Sequence, residues 1–502
     1  MSSVVADALD PSILRLENAQ LKATNLHLQA LVEKLQYQIA QLTRRQFGVS
    51  AEGLAQLGLF GAGNLADVGA PPSIPSTQVP AHERAKPIRR PLPDDLPRAV
   101  VTLDLAEDQK ACPCCGKARH EIGEEVSEKL DIEPAKMTVL QYRRKKYACR
   151  ACAGEVQTAA MPAQMIDQGM ATPGLLAHVA VTKFADHTPL ARQEKIFARQ
   201  GILLPRSTQT DWMLALGFGL LPLAERMGEI LKTLDYLGND DTTLPYQNGR
   251  PGKTTTARLW VWRGEVGDKV LLLYQFTEDR SGRHPAEFLS GWRGYLQADA
   301  YSGYDGVFVD GNIIEVGCLA HARRRFFEVA KASKTPGFAH EIIERIRALY
   351  AIEREAKEQG FSPPQVKALR QERAPPILSN LKARLEEHWP KILPKGPLAE
   401  AIGYALRHWT ALTRYLDDGR LHIDNNLVEG AIRPVAQGRN NYLFVASERG
   451  GQAAGVLYSL IQSAAINGLN PYAYLRDVIT RLPTTKAKDI DCLLPHLWTP
   501  VV

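Results

Sequence analysis

Between Thr233 and Asp299 the chain reads TLDYLGND (233–240), RLWVWRG (258–264), KVLLLYQF (269–276), HPAEFLSGW (284–292) and GYLQAD (294–299). Four of these runs are short, rich in aromatic and aliphatic residues, and bounded by Gly, Asn, Asp or charged positions, which predicts strands. HPAEFLSGW, placed before the last of them, fits a helix. The order is therefore three strands, a helix and a fourth strand.

That order opens a ribonuclease H-like α/β fold. In such a layout Asp240 ends the first strand and Asp299 ends the fourth, so two carboxylates stand side by side on adjacent central strands. A third acid comes from HIDNNLVEGAIRPVAQGRNNYLF (422–444). At helical spacing Val428, Ala431 and Ile432 share one face, Asn425, Asn426, Glu429 and Arg433 the other, and Pro434 is expected to stop the helix. Taken alone, the polar face reads equally well as a solvated surface with an i,i+4 pair from Glu429 to Arg433. Beside Asp240 and Asp299 it reads as the source of a third metal ligand. Three converging carboxylates cannot all stay ionised without a cation, and hard oxygen ligands select Mg²⁺ or Mn²⁺.

Asp299 and Glu429 are 130 positions apart, too far for one strand and one helix. The interval from about 335 to 418, rich in Glu, Arg, Ala and Leu, predicts an all-helical insertion. Ahead of it, Cys318 and His321 form a CxxH with no second pair at matching spacing, so a buried structural role is favoured over half of a zinc site. His321 is also a candidate for positioning a scissile phosphate. Arg323, Arg324 and Arg325 are candidate phosphate contacts, or stems covering a helix surface. Arg433, Arg439, Asn440 and Asn441, following Glu429, are candidate DNA contacts.

The 502 residues suggest about three domains. The net charge of +6 is mild, so the placement of basic residues carries more information than their sum. No apolar run is long enough for a membrane span, and the start has no secretory pattern, which places the chain in a bacterial-type cytoplasm or on its DNA. Leu14, Leu21, Leu28, Leu35 and Leu42 recur every seven residues, with Asn18, Asn25, Val32 and Ile39 between them, predicting a parallel two-stranded zipper over 1–50, with a single amphipathic helix packed on its own chain as the alternative. Residues 51–108 read as a Pro/Gly-rich linker. Over 109–158, Cys112 and Cys115 with Cys149 and Cys152 across a 33-residue gap predict a tetrahedral Zn²⁺ site in preference to a redox CxxC, Cys114 being a spare thiol. Arg143, Arg144, Lys145, Lys146 and Arg150, interleaved with Tyr142 and Tyr147, form a candidate phosphate-contact run, with a solvated strand edge as the alternative.

Over 159–230, GLLAHVAVTKFAD, PLARQEKIFARQG and PRSTQTDWMLAL predict three helices, with Ser207 as N-cap of the third. They read either as a helix-turn-helix with Arg206, Ser207, Thr208, Gln209 and Thr210 near base edges, or as a plain helical bundle. The catalytic region is assigned to 231–445 and a C-terminal helical region to 446–502.

GNDDT (238–242), LQADAY (296–301), GCLAHARRRFF (317–327), IDNNLVEGAIRP (423–434) and GRNNYLF (438–444), with CPCCG (112–116), TPLARQEKIFARQG (188–201) and LYSLIQSAAINGLNPYAYLRDV (457–478), resemble the transposases of the insertion sequence 66 family. The likeness spans nearly the whole chain. It implies an Asp-Asp-Glu transposase, with Asp240, Asp299 and Glu429 holding the catalytic metal, DNA ends and target as partners, and small companion proteins of the same element. Where that family usually shows Asp-Glu at the first strand, this chain has Asp240 and Asp241, and Asp240 is taken as the ligand. A non-catalytic zinc-containing DNA-binding regulator and a nuclease without joining activity are the rival readings.

Overall fold

The computed structural model describes residues 137–147 and 157–500, apart from 168, 249–251 and 333–334, together with Lys117 and seven separate positions between 20 and 35. Cys112, Cys115, Cys149, Cys152 and Arg150, the whole of the linker 51–108 and the other zipper positions lie outside the described residues. The chain divides into two compact units, Ser50–Arg143 and the remainder. In the first, the described residues carry no helix or strand. In the second, the described positions of the leucine repeat are helical, and Leu21, Leu28 and Leu35 leave 63%, 50% and 48% of their surface exposed.

A small antiparallel ribbon pairs β1 (Lys146–Tyr147) with β2 (Gln157–Thr158). Four helices follow: α1 (Pro173–Phe184), α2 (Leu190–Arg199), α3 (Arg206–Gly219) and α4 (Leu221–Leu231). Thr172 caps α1 through its hydroxyl, which accepts the Leu175 N–H at 3.3 Å, and Pro173 occupies the first turn, where no N–H is needed. Gly201 supplies the left-handed turn after α2, at φ +79°. The cap of α3 is Pro205, so Ser207 lies inside the helix instead of starting it. Proline at that place starts the helix because its fixed φ leads into the first turn.

The sheet has five strands in the order β5-β4-β3-β6-β7: β3 (Tyr236–Tyr246), β4 (Thr255–Val266), β5 (Lys269–Thr277), β6 (Gly294–Gln297) and β7 (Ile313–Val316). β3, β4 and β5 form an antiparallel meander. After α5 (Arg283–Phe288) the chain returns so that β6 lies parallel to β3 and β7 parallel to β6. β3 is longer than its sequence signal, because TTLPY continues its pairing with β4; Asp240 is therefore mid-strand and not at its end.

From β7 the chain enters α6 (Leu319–Ala332), α7 (Phe338–Glu358), α8 (Pro363–His388), α9 (Pro397–Arg407) and α10 (Trp409–Thr413). These helices build their own core, in which Phe326, Ile342, Ile346, Leu349, Leu381 and Ile402 are buried. Arg370 is buried within it, held by Glu353 at 2.6 Å and by the Tyr415 carbonyl. Then come α11 (Asn426–Tyr442), α12 (Glu448–Ile466) and α13 (Pro471–Arg481). Pro434 sits inside α11 and does not end it. Its missing N–H removes a single rung, and the helix continues because Val435 and Gly438 remain packed beyond it.

One hydrophobic core joins α1–α4, the sheet, α12 and α13. The segments 159–230 and 446–502 therefore contribute to the sheet's core instead of packing only among themselves. α12 covers the edge of β5. Ser459 and Ser463 accept the N–H groups of Tyr274 and Leu272 at 2.8 and 2.9 Å, and Asn467 accepts that of Val270 at 2.9 Å. Four helical residues advance about 6 Å and two strand residues about 6.7 Å, so an i,i+4 row of side chains keeps step with alternate strand positions. The same row continues to Gly455 and Gly451, where a Cβ would meet the Tyr274 carbonyl oxygen at 2.6 Å and the Phe276 ring at 2.4 Å. An edge that would otherwise expose unpaired N–H groups is closed in this way.

Candidate active site

α11 lies against β3. A Cβ on Gly238 would come within 2.6 Å of Val428 Cγ2, so the strand admits the helix only because residue 238 has no side chain. Asn425 Nδ2 donates to the Asn239 carbonyl at 3.0 Å, and the Tyr274 hydroxyl donates to the Ala431 carbonyl at 2.7 Å. Asn425 is thus buried in the seam and not on a solvated face. Its neighbour Asn239 is equally enclosed, donating to the Val261 carbonyl and accepting from Tyr304.

Successive strand residues face opposite sides, so Gly238 and Asp240 look toward α11 while Asn239 and Asp241 look away. The parallel register pairs Gly238 with Gln297. Continued by two residues, it brings Asp240 level with Asp299 just past the end of β6. Asp240 is 9% exposed. Burial pushes its pKa well above the usual carboxylate range, and the negative charges of Asp299 and Glu429 push it further. Among the described residues no cation pairs with Asp240. Asp299 Oδ1 is also buried without a hydrogen-bond partner.

Asp241 has the opposite surroundings. It is paired with Arg258 at 3.0 Å and Arg280 at 2.7 Å. Arg280 stacks on Tyr301 and reaches Asp299 Oδ2 at 3.6 Å. Of the two adjacent aspartates, Asp241 is neutralised by arginines and Asp240 is not. The buried Asp240 and the orphaned Asp299 oxygen offer carboxylate donors of the kind a hard divalent cation takes, although among the described residues the ligand group whose atoms lie within 4.8 Å of one another contains Glu429 and neither aspartate.

Glu429, in the first turn of α11, has a third of its side chain exposed, and among the described residues no ion pair joins it to Arg433. Its Oε1 lies 3.7 Å from His321 Nδ1. Cys318, just before α6, is buried, and its Sγ accepts the Asn425 N–H at 3.2 Å. Burial pushes its thiol pKa up. The CxxH therefore adjoins the acid on α11, which spacing along the sequence did not reveal.

Gln209 is fully buried and donates to the Leu204 carbonyl at 3.0 Å, so it stabilises the α2–α3 turn and cannot reach a base edge. Arg206 and Ser207 are exposed on the first turn of α3, and Thr210 is exposed at the start of the second. Arg439 is committed to β3, donating to the Thr243 carbonyl at 2.7 Å, which explains its partial burial and removes it from the free DNA-facing groups. Arg433 and Asn440 are exposed, as are Arg143, Arg144, Lys145, Lys146 and Arg324. Arg323 is half-buried, and Arg325 stacks on Tyr404. Arg258 and Arg280 carried no motif in the sequence. Gly238 did carry a signal, since an isolated glycine in a strand marks a close approach.

The family model described as "Transposase IS66 family" matches residues 168–453, the span that holds the sheet, the helical insertion and all three acids. The chain belongs to this family. Three further IS66 family models match: the zinc-finger binding domain of transposase IS66 over 109–153, the IS66 C-terminal element over 459–496, and "Transposase C of IS166 homeodomain" over 34–101. The last begins inside the leucine repeat and runs through the Pro/Gly-rich stretch. The zinc-finger match covers the two cysteine pairs. Among relatives, the uncharacterized protein y4jD of Sinorhizobium fredii is 39% identical over 422 residues, 81% of each chain. The uncharacterized protein y4qI of the same organism is 36% identical over 412 residues, 79% of this chain and 75% of that one. No described helix of this IS66 family member is long and apolar enough to cross a membrane.

Proposed function

We propose that this chain is the DNA transposase of a bacterial insertion sequence, binding element ends and catalysing metal-dependent strand cleavage and strand transfer. The observation that carries this reading is that Asp240, on β3, and Asp299, two residues past the end of the parallel neighbour β6, lie at matching register beneath a helix bearing Glu429; the strand order β5-β4-β3-β6-β7 is the one expected of a ribonuclease H-like fold. Asp240, Asp299 and Glu429 would hold Mg²⁺ or Mn²⁺. When bound, the metal supplies activation of a water or 3′-hydroxyl and stabilisation of the leaving oxygen.

The protein's own residues set the conditions for that chemistry. Gly238 and the Asn425–Asn239 bond hold Glu429 over the strands. Arg258 and Arg280 neutralise Asp241, so that Asp240 faces the metal side without a competing cation. Exposed Arg433, Asn440 and Arg324 offer phosphate contacts, as do the basic run Arg143–Lys146 and, on α3, Arg206 and Ser207. Cys112, Cys115, Cys149 and Cys152 would hold a structural Zn²⁺, and the zipper would join two chains so that two element ends are held together. The setting is DNA in a bacterial cytoplasm, with small proteins of the same element as further partners.

The test is cleavage and joining of labelled element ends with Mg²⁺, comparing wild type with Glu429→Gln. The variant should bind DNA yet lose at least about 100-fold in both steps. Cleavage without joining would favour a nuclease. Absence of cleavage by both proteins would favour the DNA-binding regulator, and equal cleavage by both would remove Glu429 from the chemistry.

A further inference from the structure

Cys318, His321 and Glu429 each present one ligand atom to a common space, the three lying within 4.8 Å of one another. The trio is assembled by two helix starts. Cys318 immediately precedes α6 and His321 occupies its first turn, while Glu429 occupies the first turn of α11. The Asn425 N–H, at 3.2 Å from Cys318 Sγ, ties one helix start to the other.

Two features single this group out from an ordinary buried cluster. His321 Nδ1 is buried with no hydrogen-bond partner, although it lies 3.7 Å from Glu429 Oε1, so a polar atom in the group lacks an occupant. The side chains of His321 and Glu429 are 29% and 34% exposed, so the group is open on one side, as in a site with three protein ligands and a free fourth position. Around tetrahedral Zn²⁺, with bonds of about 2.0–2.3 Å, ligand atoms stand roughly 3.3–3.6 Å apart. Side-chain movement of about 1 Å closes the present trio onto an ion with those bond lengths. A thiolate and an imidazole favour zinc over magnesium, which takes oxygen ligands.

We propose that Cys318, His321 and Glu429 form a Zn²⁺ site that shares Glu429 with the acid set. Binding converts the Cys318 thiol to a thiolate, the proton passing to solvent. Zinc held there engages Glu429 and withdraws it from Asp240 and Asp299, so occupancy opposes Mg²⁺-dependent chemistry. The withdrawal rests on the proposed role of Glu429; the zinc site itself does not.

The experiment is zinc stoichiometry on the full-length chain, without DNA. Wild type, Cys318→Ala, His321→Gln and Glu429→Gln are equilibrated with Zn²⁺, dialysed and measured by elemental analysis, with circular dichroism to verify folding. Each variant is expected to hold about one Zn²⁺ per chain fewer than wild type. His321→Gln alters a partly exposed side chain and answers the question should Cys318→Ala not fold. Equal zinc in wild type and His321→Gln overturns the site. Full zinc in Glu429→Gln, with loss in the other two, overturns the sharing. Because no DNA is present, these outcomes are read whether or not the chain cleaves element ends.

Discussion

Asp240 and Asp241 are consecutive on one strand and have opposite electrostatic surroundings: Asp241 is clamped by Arg258 and Arg280 at 3.0 and 2.7 Å, whereas Asp240 is buried against the charges of Asp299 and Glu429. The same substitution at the two positions should therefore act with opposite sign. The raised pKa of Asp240 means that the native state holds its proton more tightly than the unfolded chain, so this group's contribution to stability falls as pH rises above its unfolded value. In metal-free buffer at neutral pH, Asp240→Asn should raise Tm by roughly 2–4 °C. Asp241→Asn leaves two arginines facing an amide and should cost about 3 kcal/mol. Thermal melts of both variants in chelator check this; equal effects would contradict it.

Gly238→Ala places a methyl 2.6 Å from Val428 Cγ2. The overpacking should cost about 1–3 kcal/mol and shift α11, and Glu429 with it. Adding Val428→Ala should recover part of the loss, giving a coupling that a double-mutant cycle in denaturant measures. Strict additivity would show that the two residues do not oppose each other.

Two neighbours on α3 separate DNA contact from packing. Arg206 is exposed, and Arg206→Ala should weaken DNA binding and lower the slope of log affinity against log salt by about 1. Gln209→Ala removes a buried hydrogen bond to Leu204 and should cost about 1–2 kcal/mol of stability while leaving the salt slope unchanged. Fluorescence anisotropy over a salt series distinguishes them.

His422 is pushed down to about 4 from its ordinary 6.5, first by burial and then by Arg263. The unfolded chain takes up this proton below 6.5 and the folded one resists until about 4, so stability is lost as pH falls across that window. The Tm advantage of wild type over His422→Gln should shrink between pH 7 and 4.5. A constant difference would mean that His422 titrates normally.

Much of the fold was legible in local pattern. The runs at 258–264 and 269–276 lie within strands, those at 233–240 and 294–299 hold β3 from Tyr236 and β6 as far as Gln297, and the three helical motifs before them are helices. Local pattern misplaced Asp240 at a strand end, because the pairing that extends β3 through Tyr246 depends on β4. It made Ser207 a cap and Gln209 a reader of bases, because side-chain chemistry at a helix start is the same whether the chain or a ligand satisfies it. It ended α11 at Pro434, where packing of Val435 and Gly438 outweighs one missing hydrogen bond.

By itself the sequence determined the composition of this protein's chemistry: periodicity and turn residues set its strands and helices, and residue types named the three acids, the cysteine pairs and the CxxH. Only the tertiary structure decided which groups meet. Strand alternation separates Asp240 from Asp241, and two arginines without any motif neutralise one of them. Glu429 adjoins His321 although 108 positions divide them. The physical reason is that local preferences act over a few residues, whereas the charge, burial and partners of a side chain depend on elements that only the packed core brings together.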